Sequence, residues 1–156
     1  MIVRKTHIVY PLGSARLTHM PIATALCSSS PGALAAMSAF LDGRPHVGLA
    51  GPRLVYLDGR AQESVSHRYL GQKYAPELYR GLKGEIAWVM GACMIAPAGV
   101  VRDVGGFDER FFLYGEEEDL CLRIRQAGWE IGFAGEAVGV HVGGGVPGVV
   151  VSARRS

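Results

Sequence analysis

Residues 104–129 hold two groups of carboxylates inside one turn-and-helix segment. Asp108 and Glu109 follow Gly105-Gly106-Phe107, and Glu116, Glu117, Glu118 and Asp119 come next. Between the groups stand Phe111, Phe112, Leu113, Tyr114 and Gly115. A carboxylate fixed at a helix end beside apolar surface is suited to take a proton from a hydroxyl, and the neighbouring aromatic faces suit sugar rings. The same residues admit a plainer reading. Four acids in a first helical turn are each favoured by the macrodipole by about 0.3–1 kcal/mol and then face water. In the turn, Asp108 would cap its own backbone and Glu109 would be solvated. Trp88 reads as a core residue and His141 as the end of a strand ahead of Gly143-Gly144-Gly145. Glu116, Glu117, Asp119 and His141 together also have the residue types of a small cation site.

The elements that must carry these groups follow from pattern. Ser30 is a good N-cap, Pro31 suits the first helical position, and residues 33–41 are helix formers stopped by Gly43. Residues 47–50 and 53–57 read as two strands separated by Gly51-Pro52, with Asp58-Gly59 as a hairpin turn. Residues 60–83 read as an irregular loop with one helical turn, carrying Tyr69, Tyr74 and Tyr79. Residues 86–95 read as a buried strand interrupted by Gly91, and 97–104 as a short helix closed by Gly105-Gly106. Residues 117–127 form a helix with Leu120, Ile124 and Ala127 on one face and Gly128 as its stop. Strands over 129–133 and 137–142 follow. Alternating strands and short helices indicate an α/β unit. Residues 1–29 carry no assignment and are expected to be irregular, although 2–10 have some strand character.

Composition bounds the function. The chain has 156 residues, 49% hydrophobic and 19% charged, which is ordinary for one globular domain. A net charge of +2 with scattered bases argues against nucleic acid as a partner. No uninterrupted apolar run reaches the ~18 residues expected of a membrane span. Cys27, Cys93 and Cys121 are odd in number and show no CxxC spacing, as expected of reduced, buried thiols in a cytoplasmic protein. The 22 glycines follow no period, which excludes collagen and repeat arrays.

Three segments, taken in order, resemble glycosyltransferase family 2 of the rhamnosyltransferase-like kind. They are Trp88-Val89-Met90-Gly91-Ala92-Cys93-Met94, Val104-Gly105-Gly106-Phe107-Asp108-Glu109-Arg110-Phe111-Phe112, and Glu116-Glu117-Glu118-Asp119-Leu120-Cys121-Leu122-Arg123. The similarity extends upstream through Pro31-Gly32-Ala33-Leu34, Val47-Gly48-Leu49-Ala50-Gly51-Pro52 and Leu57-Asp58-Gly59, covering residues 31–145 and leaving 146–156 as a tail. It implies part of a GT-A domain, an α/β nucleotide-diphospho-sugar transferase fold with a mixed sheet. The reaction implied is inverting transfer of a sugar from a nucleotide-sugar donor to a saccharide or glycolipid acceptor. In that comparison Glu116 and Glu117 match the acidic pair, with Glu117 as the base. Trp88, Gly91, Asp108, Glu109 and Asp119 then lie on the acceptor side. His141 matches a ligand to a divalent cation, Mg or Mn, or a contact to the donor diphosphate. A place in the cytoplasm, peripheral to the inner face of the membrane, goes with this reading.

The chain departs from the family pattern at three points. The acidic pair, usually Glu-Asp, is Glu-Glu here, which moves the second carboxylate by about one methylene. The positions that match the Asp-x-Asp motif, Leu26-Cys27-Ser28-Ser29-Ser30, hold no carboxylate. About thirty residues precede the first helix, fewer than the nucleotide-binding half of the family requires. The resemblance therefore implies a truncated, acceptor-side portion, inactive alone, with a cut sheet edge inviting a partner chain or self-association. The alternative is a non-catalytic module that binds saccharide or protein.

Overall fold

Residues Cys93–Pro97 form a strand buried on both faces, sending Cys93 and Ile95 to one side and Met94 and Ala96 to the other. That alternation calls for a layer of structure on each face of the sheet. The computed structural model describes residues 8–9, 19–23, 27–30, 32–111 and 115–142. Its strands are β1 (Ile8–Val9), β2 (His19–Ala23), β3 (Cys27–Ser29), β4 (Val47–Val55), β5 (Val65–Ser66), β6 (Trp88–Val89), β7 (Cys93–Pro97) and β8 (Glu130–His141). Its helices are α1 (Ala33–Asp42), α2 (Ala98–Asp103) and α3 (Glu116–Gln126), with a 3-10 turn at Pro76–Tyr79.

Six strands form one sheet in the order β1-β2-β7-β4-β8-β3, and β5 pairs with β6 separately. Among the described strands only β4 and β8 run parallel; the other pairs are antiparallel. A mixed sheet with helices on both faces agrees with the fold that the resemblance implies. On one face, Ala33, Met37 and Leu41 of α1 pack on Val47, Ala50, Leu54 and Ile95. On the other, Leu120, Cys121 and Ile124 of α3 and Val100 and Val101 of α2 pack on Leu49, Met94 and Ile131. The helical spacing of each apolar set brings it to a single stripe.

Several boundaries differ from expectation. Helix α1 is capped by Gly32 at φ 79° rather than by Ser30, because the Ser30 N–H continues the sheet by donating to the Val138 carbonyl. Pro31 lies outside the described residues. The two strands read on either side of Gly51-Pro52 are one strand, β4, whose register slips between Pro52 and Arg53. A proline without an N–H is accommodated at such an irregularity. Across the same slip β8 also runs on as one strand where two were expected. The stretch 86–95 divides at Gly91 into β6 and β7, which belong to different sheets.

The largest difference lies in residues 1–29, expected to be irregular. Three strands form there, and β2 pairs with β7 along its whole length, from His19 opposite Pro97 to Ala23 opposite Cys93. On the far side β3 pairs with the end of β8. Of the strand edges expected to be left open by a cut sheet, that of β7 is taken by β2 and the last three residues of β8 by β3. His19 ties β2 to α1 through Ser38, with Nδ1 2.8 Å from Oγ.

Candidate active site at the N-terminus of α3

Strands β4 and β8 end on the same side of the sheet, and the antiparallel β7 begins there. Helix α3 leads through Gly128 into the start of β8, so its own N-terminus returns to that same end. The carboxyl end of parallel strands is where open α/β sheets bind ligands. Gly91 precedes β7, Glu116 and Glu117 open α3, and His141 closes β8.

The four acids of the helix start divide into two pairs. Glu116 is 5% exposed and Glu117 8%, and the Oε2 atom of each is shielded from solvent. Glu117 lies three, four and seven residues before Leu120, Cys121 and Ile124, on the buried stripe, so its side chain is carried inward. It rests against Gly91. A Cβ at Gly91 would stand 3.3 Å from Glu117 Cβ and Cδ and 3.4 Å from Oε1, closer than packing comfortably allows. The helix N-terminus favours negative charge at this point.

Glu118 and Asp119 point elsewhere. Glu118 Oε1 accepts the Leu70 N–H at 3.0 Å, fastening the loop after β5 to the helix. Asp119 Oδ2 receives Arg123 Nη2 at 2.6 Å and Nε at 2.8 Å, and Arg123 Nη1 donates to the Val104 carbonyl at 2.6 Å. Asp119 thus ties α3 to the end of α2.

The preceding turn is organised around its own arginine. Asp108 accepts from the Arg110 backbone N–H at 2.9 Å and from its Nε, and the guanidinium holds the carboxyl down to about 2. Glu109 is exposed. Phe111 is the exposed end of the aromatic run, while Phe112, Leu113 and Tyr114 lie outside the described residues.

Trp88 is half-buried against the α3-side core and donates from Nε1 to the Arg68 carbonyl at 3.1 Å. His141 has Nδ1 2.8 Å from Gln62 Oε1, joining the end of β8 to the return of the Asp58-Gly59 hairpin. Among the described residues no three His, Cys, Asp or Glu side chains gather as a cation site would require. The grouping of Glu116, Glu117, Asp119 and His141 is therefore not assembled, and the described residues do not fit a divalent cation. Cys121 is wholly buried, and burial pushes its thiol up to about 12, so it is no nucleophile.

Sequence reasoning missed Arg125. It is 8% exposed and donates to the Lys83 carbonyl (3.1 and 2.9 Å), the Gly84 carbonyl (2.8 Å) and Tyr69 Oη (3.3 Å). Tyr69 in turn donates to the Ala87 carbonyl at 2.6 Å, and burial raises its hydroxyl to about 12. The available signal was a charge four residues beyond Cys121 on the apolar stripe, where a buried arginine must find acceptors.

Comparison with known proteins agrees with this geometry. The family described as "Glycosyltransferase like family 2" matches residues 21–154. An N-acetylglucosaminyl-diphospho-decaprenol L-rhamnosyltransferase of Mycobacterium tuberculosis is 30% identical over 118 residues, covering 64% of this chain and 38% of that protein. A pre-mycofactocin glycosyltransferase from the same species is 35% identical over 103 residues, covering 62% of this chain and 21% of that protein. The matched stretch is thus well under half the length of either relative. With Gly91 seated against an inward-facing Glu117 and the family match running through both, this chain belongs to glycosyltransferase family 2.

Proposed function

We propose that this chain carries the acceptor side of a sugar-transfer site, with Glu117 as the base for the acceptor hydroxyl. The observation that carries the reading is the burial of Glu117 against Gly91 at the carboxyl end of β4 and β8. In the reaction, a Glu117 carboxylate oxygen takes the hydroxyl proton. The hydroxyl oxygen then forms its bond to the anomeric carbon of a nucleotide-sugar from the face opposite the nucleoside diphosphate. The anomeric C–O bond breaks, the diphosphate leaves with the electron pair, and configuration inverts. Glu116, the neighbouring buried carboxyl, adds to the acidic character of the site. Gly91 leaves the space that Glu117 occupies. The resemblance supports assigning Trp88, Asp108 and Glu109 to the acceptor side.

The name of the rhamnosyltransferase relative favours a saccharide on a polyprenyl diphosphate as acceptor and a deoxyhexose as the group moved. A lipid-linked acceptor supports work at the inner face of a membrane, in keeping with a part in cell-wall or polysaccharide assembly. Among the described residues no helix is long and apolar enough to cross one. A divalent cation belongs to the family reading, but no step here is routed through it, since the described residues gather no ligand set.

The test is thermal unfolding of the purified chain with dTDP-, UDP- and GDP-sugars, with and without Mn²⁺, together with transfer of labelled sugar to a synthetic polyprenyl-diphosphate saccharide. Transfer that is lost in Glu117→Gln supports the reading. Saccharide binding with no nucleotide response, unchanged in Glu117→Gln, would replace it with a non-catalytic binding module.

A further inference from the structure

Between Arg68 and Lys83 the chain exposes side chains that folding ordinarily hides. Leu70 is 82% exposed, Tyr74 78% and Leu78 51%. The same sixteen residues contain Arg68, Lys73, Arg80 and Lys83 against one acid, Glu77, and all four bases are exposed. Among the described residues no carboxylate pairs with any of them. Lys73 Nζ lies 4.6 Å from the centre of the Tyr74 ring, an amphipathic pair suited to the headgroup level of a bilayer.

A slack loop would show its leucines by default, but this one is fastened at several points. Tyr69 is buried, bonded to Ala87, and packed on the Tyr79 ring at 4.8 Å between centroids. Glu118 holds the Leu70 N–H, Gln126 Nε2 donates to the Leu78 carbonyl at 3.3 Å, and Arg125 clamps Lys83 and Gly84. The fold thus anchors Tyr69 inward with Tyr79 packed on it, while leaving Leu70, Tyr74 and Leu78 outward. All three anchors come from α3, whose first turn carries Glu117.

We propose that residues 68–83 form a docking surface for an anionic lipid bilayer, with the bases meeting headgroup phosphates and Leu70 and Leu78 entering the interface. Charge complementarity selects this occupant, because exposed leucines and a tyrosine set among four exposed bases in one segment match a negatively charged, apolar-backed surface. Docking through a loop fixed to α3 also sets the height of Glu117 above the membrane. The inference goes beyond the proposed reaction and needs neither donor nor chemistry.

The experiment is co-sedimentation of the full chain with phosphatidylcholine vesicles, with and without phosphatidylglycerol. Binding is expected only to the anionic vesicles, weakening with salt. Lys73→Gln/Arg80→Gln should weaken it about 25-fold, at about fivefold per charge. Leu70→Glu/Leu78→Glu should weaken it at least about tenfold. The Gln pair alters no buried group, so it keeps the test valid should the Glu pair misfold by circular dichroism. Arg102→Gln on α2, the same charge change elsewhere, should cost less than about twofold. Absence of binding to both vesicles would overturn the proposal, as would an equal loss in Arg102→Gln. A chain that elutes as a dimer until Leu70 and Leu78 are changed would assign the surface to a second copy instead. Vesicle binding without sugar transfer would leave this surface standing and count only against the reaction.

Discussion

The two acidic clusters, seven residues apart and flanking one aromatic run, are used in opposite ways. In the turn, Asp108 is answered by an arginine two residues on and Glu109 faces water. At the helix, Glu116 and Glu117 are withdrawn from solvent, while Glu118 and Asp119 act as fasteners. Composition does not separate the clusters, but position on a helical stripe does. A residue three and four places before buried leucine and cysteine is carried into the interior whatever its charge. Burying a carboxylate has a free-energy cost, which accords with the role proposed for Glu117.

The comparison breaks most readily at Glu117. Glu117→Gln should lower transfer by about 10²–10⁴-fold with the fold intact, whereas Glu109→Gln should change it little. Equal losses in the two variants, measured as initial rates, would erase the distinction between the clusters. Next in size is Arg125→Met, which leaves the Lys83 and Gly84 carbonyls without their donor. Chemical denaturation should show a loss of about 2–4 kcal/mol, and a value near zero would mean that the loop does not depend on α3. Gly91→Ala forces Glu117 to shift by a few tenths of an ångström. Transfer should fall about tenfold or more while stability changes by less than about 1.5 kcal/mol. Unaltered transfer would show that the placement of Glu117 is not critical.

The smallest effect belongs to Asp108. Its folded value, near 2, lies below the ~3.9 of an unfolded aspartate, so its stabilising contribution is present above about pH 4 and is lost as pH falls toward 2. Asp108→Asn should match the parent in melting temperature at pH 2 and fall slightly below it at neutral pH. A difference that grows on acidification would reverse the assignment.

Much of the scaffold can be read from residue order alone. Helix α3 announces itself through Leu120, Ile124 and the Gly128 stop, and α2 through the glycines that close it. The inward turn of Glu117 is also legible, since it follows from spacing. Its meeting with Gly91 is not, because 26 residues separate them and only the packing of α3 beside β6 and β7 joins them. β2 escapes a pattern reading for another reason. His19-Met20-Pro21-Ile22-Ala23 has a weak strand pattern and a proline, and it becomes a strand by pairing with β7. Gly51-Pro52 misleads in the other direction, reading as a break where a neighbouring strand absorbs the irregularity.

The parallel pairing of β4 with β8 joins Val47 to Glu130 and Val55 to Val140. During synthesis, β4 leaves the ribosome more than eighty residues ahead of its partner, a wait of roughly 4–16 s at ~5–20 residues per second. Until β7 and α3 follow, Leu49 and Leu54 have little beyond α1, β2 and the hairpin return to shelter them, and β8 completes the cover last. A slow stretch of translation after residue 60 would prolong this exposure, and one after residue 141 would not. The placement of rare codons along the message therefore bears on the yield of folded protein, separately from any effect of the amino acids themselves.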